Sequence, residues 1–123
     1  MRMSIFFCNF AALNQKSMVR SADISSQIQA LGKKVLPEGS QLWLYGSRAR
    51  GDNRPDSDWD LLVLVDKDKQ QLQDFDRYAY PFVEMGWQNG IEINPMLYTR
   101  QEWQQRHFTP FYHNVESDKI VLV

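Results

Sequence analysis

One cysteine and two histidines are all that the 123-residue sequence offers in soft or imidazole metal ligands. Cys8 has no partner for an intrachain disulfide, and with His107 and His113 it falls one ligand short of a four-coordinate structural zinc site. A reducing cytoplasm suits such a chain. No apolar run approaches the roughly 18–20 residues that a membrane span needs, so no membrane attachment is expected. The opening MRMSIFFCNFAAL has a faint look of a secretory signal, but its apolar stretch is short and Asn9 breaks it. Residues 1–20 are read instead as an N-terminal extension of poor order, and 21–123 as one domain. The sequence contains no GxxxxGK[ST], which excludes a Walker phosphate loop, and it has no internal repeat, low-complexity stretch or linker. An excess of one charge is also missing. Fourteen Lys/Arg against fifteen Asp/Glu leave a net charge of -1, so no direct DNA binding is expected.

The charge is unevenly placed, however. Residues 1–54 carry a net +5 and residues 55–123 a net -6. Such polarity suits a site where cations face metal-binding carboxylates, or a charged partner protein.

Periodicity sets out the elements. Ile24, Ile28, Leu31 and Val35 share one face of a helix over 22–36, with Ser21 as its cap and Pro37-Glu38-Gly39 as its stop. QLWLY (41–45) reads as a short buried strand, and WDLLVLV (59–65) as the strongest strand in the chain. A long helix is expected from about Lys69 to Trp87, with Leu72, Phe75, Ala79, Phe82 and Val83 on its apolar side and Pro81 kinking or splitting it. Asn89-Gly90 marks a turn, and IEINPMLYT (91–99) a third strand in which Pro95 implies a bulge or an edge position. Thr99 can cap a further helix, TPFYHNVES gives another helical turn, and KIVLV a last short strand. The order α-β-α-β-α-β-α points to an α/β domain, a small sheet covered by helices. Trp103, Phe108, Phe111 and Tyr112 are read as core of the C-terminal helices rather than a partner surface.

The stretch YGSRARGDNRPDSDWDLLVLV (45–65) carries the chemistry. Asp58 and Asp60 are two apart where a strand begins, so both carboxylates project to one side and Trp59 to the other. Like charges so close resist ionisation unless a cation sits between them, and a hard divalent ion with oxygen ligands answers that need. Gly46-Ser47 ends one strand and opens a turn, where a glycine lets backbone approach a phosphate and Ser47 adds a hydroxyl. Arg48 and Arg50, with Arg54 behind, can either neutralise phosphates or pair with Asp52 and Asp56.

Taken together, these residues spell G-S-x10-D-x-D between two strands. In that motif the chain resembles the polymerase-beta-like nucleotidyltransferases, and in size their minimal nucleotidyltransferase (MNT) domains. The resemblance covers roughly residues 22–123 and implies the fold of that superfamily, a small mixed sheet covered by helices. It implies that Gly46 and Ser47, helped by Arg48 and Arg50, hold the triphosphate of ATP or another NTP. It also implies that Asp58 and Asp60 ligate Mg²⁺, two ions being expected. The family calls for a third carboxylate on a neighbouring strand. Glu92, flanked by Ile91 and Ile93, is the only downstream acid inside a strand-like run, although the family more often shows Asp there. The implied reaction is transfer of NMP to a hydroxyl with release of pyrophosphate. Stand-alone MNT proteins are often paired with HEPN-family toxins, so the leading expectation is an antitoxin that AMPylates such a partner. A small-molecule adenylyltransferase of the aminoglycoside type, with its acceptor site shared across a homo-oligomer, is one alternative. An antitoxin that binds without catalysis is the other.

Overall fold

The computed structural model describes residues 21–123, so the expectation for residues 1–20 lies outside the described residues. The chain runs through α1 (Ser21–Val35), β1 (Gln41–Tyr45), the one-turn α2 (Ser47–Arg50), β2 (Trp59–Val65), a π-helical turn (Phe75–Ala79), α3 (Tyr80–Gln88), β3 (Ile93–Thr99), α4 (Arg100–Gln104), α5 (Pro110–Asp118) and β4 (Ile120–Val121). Among the described residues no helix is long and apolar enough to cross a membrane.

The strands form one mixed sheet in the order β3-β2-β1-β4. β1 lies antiparallel to β2 and to β4, and β3 runs parallel to β2. β2 is interior and buried on both faces, which is why its sequence is nearly continuous aliphatic rather than alternating. Only Asp60 interrupts that run. On one face Leu42, Leu44, Trp59, Leu61 and Val63 pack against Ile24 and Ile28 of α1 and Phe82 of α3. On the other, Trp43, Leu62, Leu64 and Tyr98 pack against Trp103 of α4 and Val115 of α5. Trp103 is the hub of this second layer. It meets Trp43 and Phe111 edge-on and lies tilted against Tyr112, while its indole N–H donates to Glu116 at 2.8 Å. Of the C-terminal aromatics Trp103 is core, Phe111 and Tyr112 are partly buried against it, and Phe108, expected to be core, is 75% exposed.

Capping explains the C-terminal helices. Thr99 accepts from the Glu102 N–H, and Glu102 accepts from the Thr99 N–H, a reciprocal box that starts α4 directly from the end of β3. Thr109 caps α5 through the Tyr112 N–H, with Pro110 in the first turn where its missing donor costs nothing. β3 is an edge strand, which accommodates Pro95.

Three expectations need correction. Ser21 is itself helical rather than a cap ahead of α1. The helix after β2 begins at Phe75, not Lys69, because Asp74 accepts from the Gln71 N–H and from Lys67 and holds residues 71–74 in a turn. Leu72 consequently points into solvent at 99% exposure instead of lining an apolar face. Pro81 divides this region as expected, with the π-turn before it and α3 from Tyr80. Finally, β3 starts at Ile93, so Glu92 stands just outside the strand. The turn at Asn89-Gly90 extends further than its dipeptide suggests: the Ile91 N–H still bonds back to Gly86 at 3.0 Å, and Gly90 has φ 70°.

Candidate active site

β1 ends at Tyr45, whose Cα pairs with Asp60 across the antiparallel ladder. The next residue, Gly46, turns the chain at φ 79°, ψ -159°, a conformation confined almost entirely to glycine. Its carbonyl then accepts from the Ala49 and Arg50 N–H groups and starts α2 at Ser47. This turn lies against the carboxylate of Asp60: a β-carbon on Gly46 would stand 2.7 Å from Asp60 Oδ2. The expected turn at Gly46-Ser47 is present and leads into a one-turn helix, and the turn and the strand carboxylate are in direct contact.

Asp60 is half-buried and Asp58 exposed, while Trp59 between them is in the core at 2% exposure. Burial, and after it the charge of Asp58, holds the Asp60 carboxyl above the usual carboxylate range. Burial, with Asp60 and Tyr98 adding, pushes the Tyr45 phenol up to about 12. Negative charge is thus destabilised at this spot, and a divalent cation between the two aspartates would relieve it. The donor set suits one hard cation. Among the described residues, no three His, Cys, Asp or Glu side chains gather closely enough to hold an ion. Glu92 is exposed and precedes β3, its carbonyl taking the Trp59 N–H at 2.9 Å. It shares with Asp58, Arg48, Ser57 and Trp87 the lining of a cavity of about 430 Å³.

The arginines occupy positions their sequence left open. The Arg48 guanidinium grips the loop: it donates to Ser57 O at 2.9 and 3.1 Å and to Pro55 O at 3.0 Å, and stacks 4.6 Å over the Trp59 ring. It thereby fixes the approach to Asp58 from behind. Arg50 pairs with Asp52 at 3.1 Å and with Asp118 at the end of α5 at 2.7 Å.

Asn94 is the site residue that the sequence reading passed over. Its Cα pairs with Asp60 on the parallel neighbour, and its Nδ2 donates to Asp58 Oδ2 at 3.0 Å. The signal was present in I-E-I-N-P: a period of two puts Asn94 on the face that Glu92 was expected to occupy.

Asp60 on the interior strand β2 and Asp58 just before it lie beside a glycine turn that opens a helix, in a small α/β domain. The chain belongs to the nucleotidyltransferase domain family, whose profile matches residues 24–121. Among the solved structures that share the fold, two each have a TM-score of 0.56. One is a toxin–antitoxin crystallised with AMP-PNP, 15% identical, the match covering 80% of this chain and 72% of that one. The other is a candidate nucleotidyltransferase from Sulfolobus solfataricus, 17% identical over 93% of this chain and 87% of that one. At these identities the likeness is one of fold. No curated protein matches the chain at a significant level.

Proposed function

We propose that this nucleotidyltransferase moves AMP from ATP to a hydroxyl of a partner protein, as the antitoxin of a pair whose toxin is of the HEPN type. The observation that carries the reading is the contact between the Gly46 turn and half-buried Asp60, with exposed Asp58 two residues before it. The toxin–antitoxin neighbour crystallised with AMP-PNP supports a toxin as partner and an adenine nucleotide as substrate, while the HEPN type rests on the family resemblance alone.

In this reading the backbone at Gly46-Ser47 and the Ser47 hydroxyl receive the triphosphate. Asp58 and Asp60 hold Mg²⁺. A divalent ion so placed supplies positive charge to the triphosphate and to the departing pyrophosphate. Arg48 and Arg50 stand one step back, serving the nucleotide through the loop they brace. Glu92, at the cavity beside Asp58, takes the proton of the acceptor hydroxyl. The acceptor oxygen bonds to the α-phosphorus while the bond from that phosphorus to the oxygen bridging to the β-phosphate breaks, and pyrophosphate leaves with the electron pair.

The test is transfer of label from α-³²P-ATP to the co-expressed product of a neighbouring gene, with mass spectrometry locating the modified side chain. Label on the partner with wild type, and none with Asp58→Asn or Asp60→Asn, is the expected result. Silencing of the partner without label on it would show neutralisation by contact and overturn the catalytic reading.

A further inference from the structure

We infer that the groove between β3 and the loop joining α4 to α5 holds an apolar side chain from a helix of the acceptor protein, and so brings that protein's hydroxyl to Glu92. The inference rests on the nucleotidyl-transfer reading and deepens it by naming the surface that selects the partner.

Residues 105–109 join α4 to α5 and, with Met96 and Tyr98 of β3, line a groove of about 560 Å³. Two large apolar side chains there are exposed, Met96 from the strand and Phe108 from the loop. Phe108 is held out by an ordered turn. The Arg106, His107 and Thr109 N–H groups donate to the Trp103, Gln104 and Arg106 carbonyls at 3.0, 3.2 and 2.9 Å, and the His107 ring meets Phe108 edge-on. A ring fixed in water by such a turn is a preformed anchor, since little freedom is lost when a partner covers it.

The polar groups of the groove define its occupant. Glu102 accepts from the Thr99 N–H and from Gln70, whose amide also donates to the Leu97 carbonyl. Arg106 lies 4.9 Å over the Tyr98 ring, and Thr109 caps α5. Glu102 and Arg106 are the only charged residues in the lining, so its charge balances. With these groups engaged inside the chain, the groove presents mainly carbon to a ligand. An extended peptide pressed into it would bury backbone N–H and C=O groups without partners. A helix satisfies its own backbone and presents only side chains. The occupant is therefore a helix face with an aromatic or branched aliphatic residue at its centre.

Position ties the groove to the reaction. The Gly46 turn, where the triphosphate is proposed to sit, follows β1, and Asp60 lies between β1 and Asn94 of β3. In-line displacement brings the attacking oxygen from the side opposite the departing pyrophosphate. That is the β3 side, where Glu92 stands just before the strand. Met96 follows Glu92 by four residues, roughly 13 Å of extended chain. A helix anchored on Met96 and Phe108 covers nearly that span in roughly eight residues, the two turns that return a side chain to the same face.

The co-expressed product of the neighbouring gene serves as the partner, and calorimetry reads its affinity. Phe108→Ala and Met96→Ala should each bind it roughly tenfold or more weakly than wild type, with Tm and ATP affinity unchanged. Label transfer by these variants should show a raised KM for the partner and an unchanged kcat. Val121→Ala, in exposed β4 at the opposite border of the sheet, should match wild type. Phe108→p-benzoylphenylalanine should cross-link on irradiation to a partner segment whose apolar residues recur at helical spacing, about eight residues from the labelled hydroxyl. Wild-type affinity in Phe108→Ala and Met96→Ala, an equal loss in Val121→Ala, or cross-linking to a segment without that spacing would overturn the inference and leave the transfer reading intact. Binding that depends on Phe108, with no label on the partner even from wild type, would overturn the transfer reading and leave the docking surface in place. Failure of wild type to bind the partner would overturn both.

Discussion

The carboxylate of Asp60 lies where a side chain on Gly46 would have to go, with Oδ2 2.7 Å from the position of a β-carbon. Gly46→Ala therefore meets two obstacles, a collision with Asp60 and a backbone at φ 79° that costs a non-glycine residue about 1–3 kcal/mol. The variant should lose stability of that order in urea denaturation and bind Mn²⁺ and ATP more weakly. Gly51→Ala separates the two effects. Gly51 has φ 84° but no heavy atom within 4 Å of an added β-carbon, so its alanine variant should be strained yet keep its ligands. Unchanged nucleotide affinity in folded Gly46→Ala would place the triphosphate elsewhere.

Asp60→Asn should separate stability from function. Because burial and Asp58 raise the Asp60 pKa in the folded state, its ionisation works against folding. The stability associated with its protonated form is fully present below the unfolded value near pH 4 and lost as pH rises through the folded value. The amide removes that loss. Scanning calorimetry without metal should therefore show a higher Tm than wild type at pH 7 and no gain at pH 3, while Mn²⁺ binding is abolished. A lower Tm at pH 7 would contradict the electrostatics described for this strand.

Arg48→Lys distinguishes a clamp from a phosphate ligand. Lysine keeps the charge but lacks the planar fork that reaches Pro55 O and Ser57 O and the face that stacks on Trp59. Stability should fall by about 1–3 kcal/mol, with nucleotide affinity falling as the Asp58 approach loosens. Arg50→Ala breaks only surface pairs and should leave the melting curve nearly where it was. Full retention of stability in Arg48→Lys would argue that its charge matters and its shape does not.

Glu92→Gln should retain ATP affinity, as measured by calorimetry, and lose transfer by roughly 100-fold, the scale of a removed general base. A parallel loss of ATP affinity would mean that Glu92 acts on the nucleotide rather than on the acceptor.

Trp103 and Phe108 sit five residues apart in one aromatic-rich segment, and their truncations should differ sharply in cost. Trp103→Ala empties the centre of the second layer and should cost about 3–5 kcal/mol. Phe108→Ala should change stability little, since its ring is largely in water. Guanidinium denaturation of both variants checks the pair.

These contrasts mark what the sequence could and could not disclose. β2 was legible because an interior strand needs an unbroken aliphatic run, and the faces of Asp58, Trp59 and Asp60 follow from a period of two. Thr99 was legible because capping is local chemistry. Leu72 was not, because helical spacing says nothing of a buried Asp74 that stops the helix short of it. The roles of Arg48 and Arg50 depended on distances across the fold, to Trp59 and to Asp118 in α5. Asn94 was hidden for a different reason. A third carboxylate is the residue type expected on this strand, and the position beside Asp60 holds a neutral amide.

The proline in β3 has a consequence for how anything reaches this face. The Glu92 carbonyl points to β2, so by alternation the backbone of residues 93, 95 and 97 points away from the sheet, and the Leu97 carbonyl does accept from Gln70 outside it. Pro95 falls where its missing N–H would face outward, so the sheet loses no rung and the rim loses a donor. A foreign strand seeking to zip onto this border finds a gap in the ladder and Gln70 already on one acceptor. Neither a second copy of the chain nor an extended peptide can readily prolong the sheet there. In the proposed reaction the acceptor hydroxyl therefore approaches past exposed Asp58 and not along this edge.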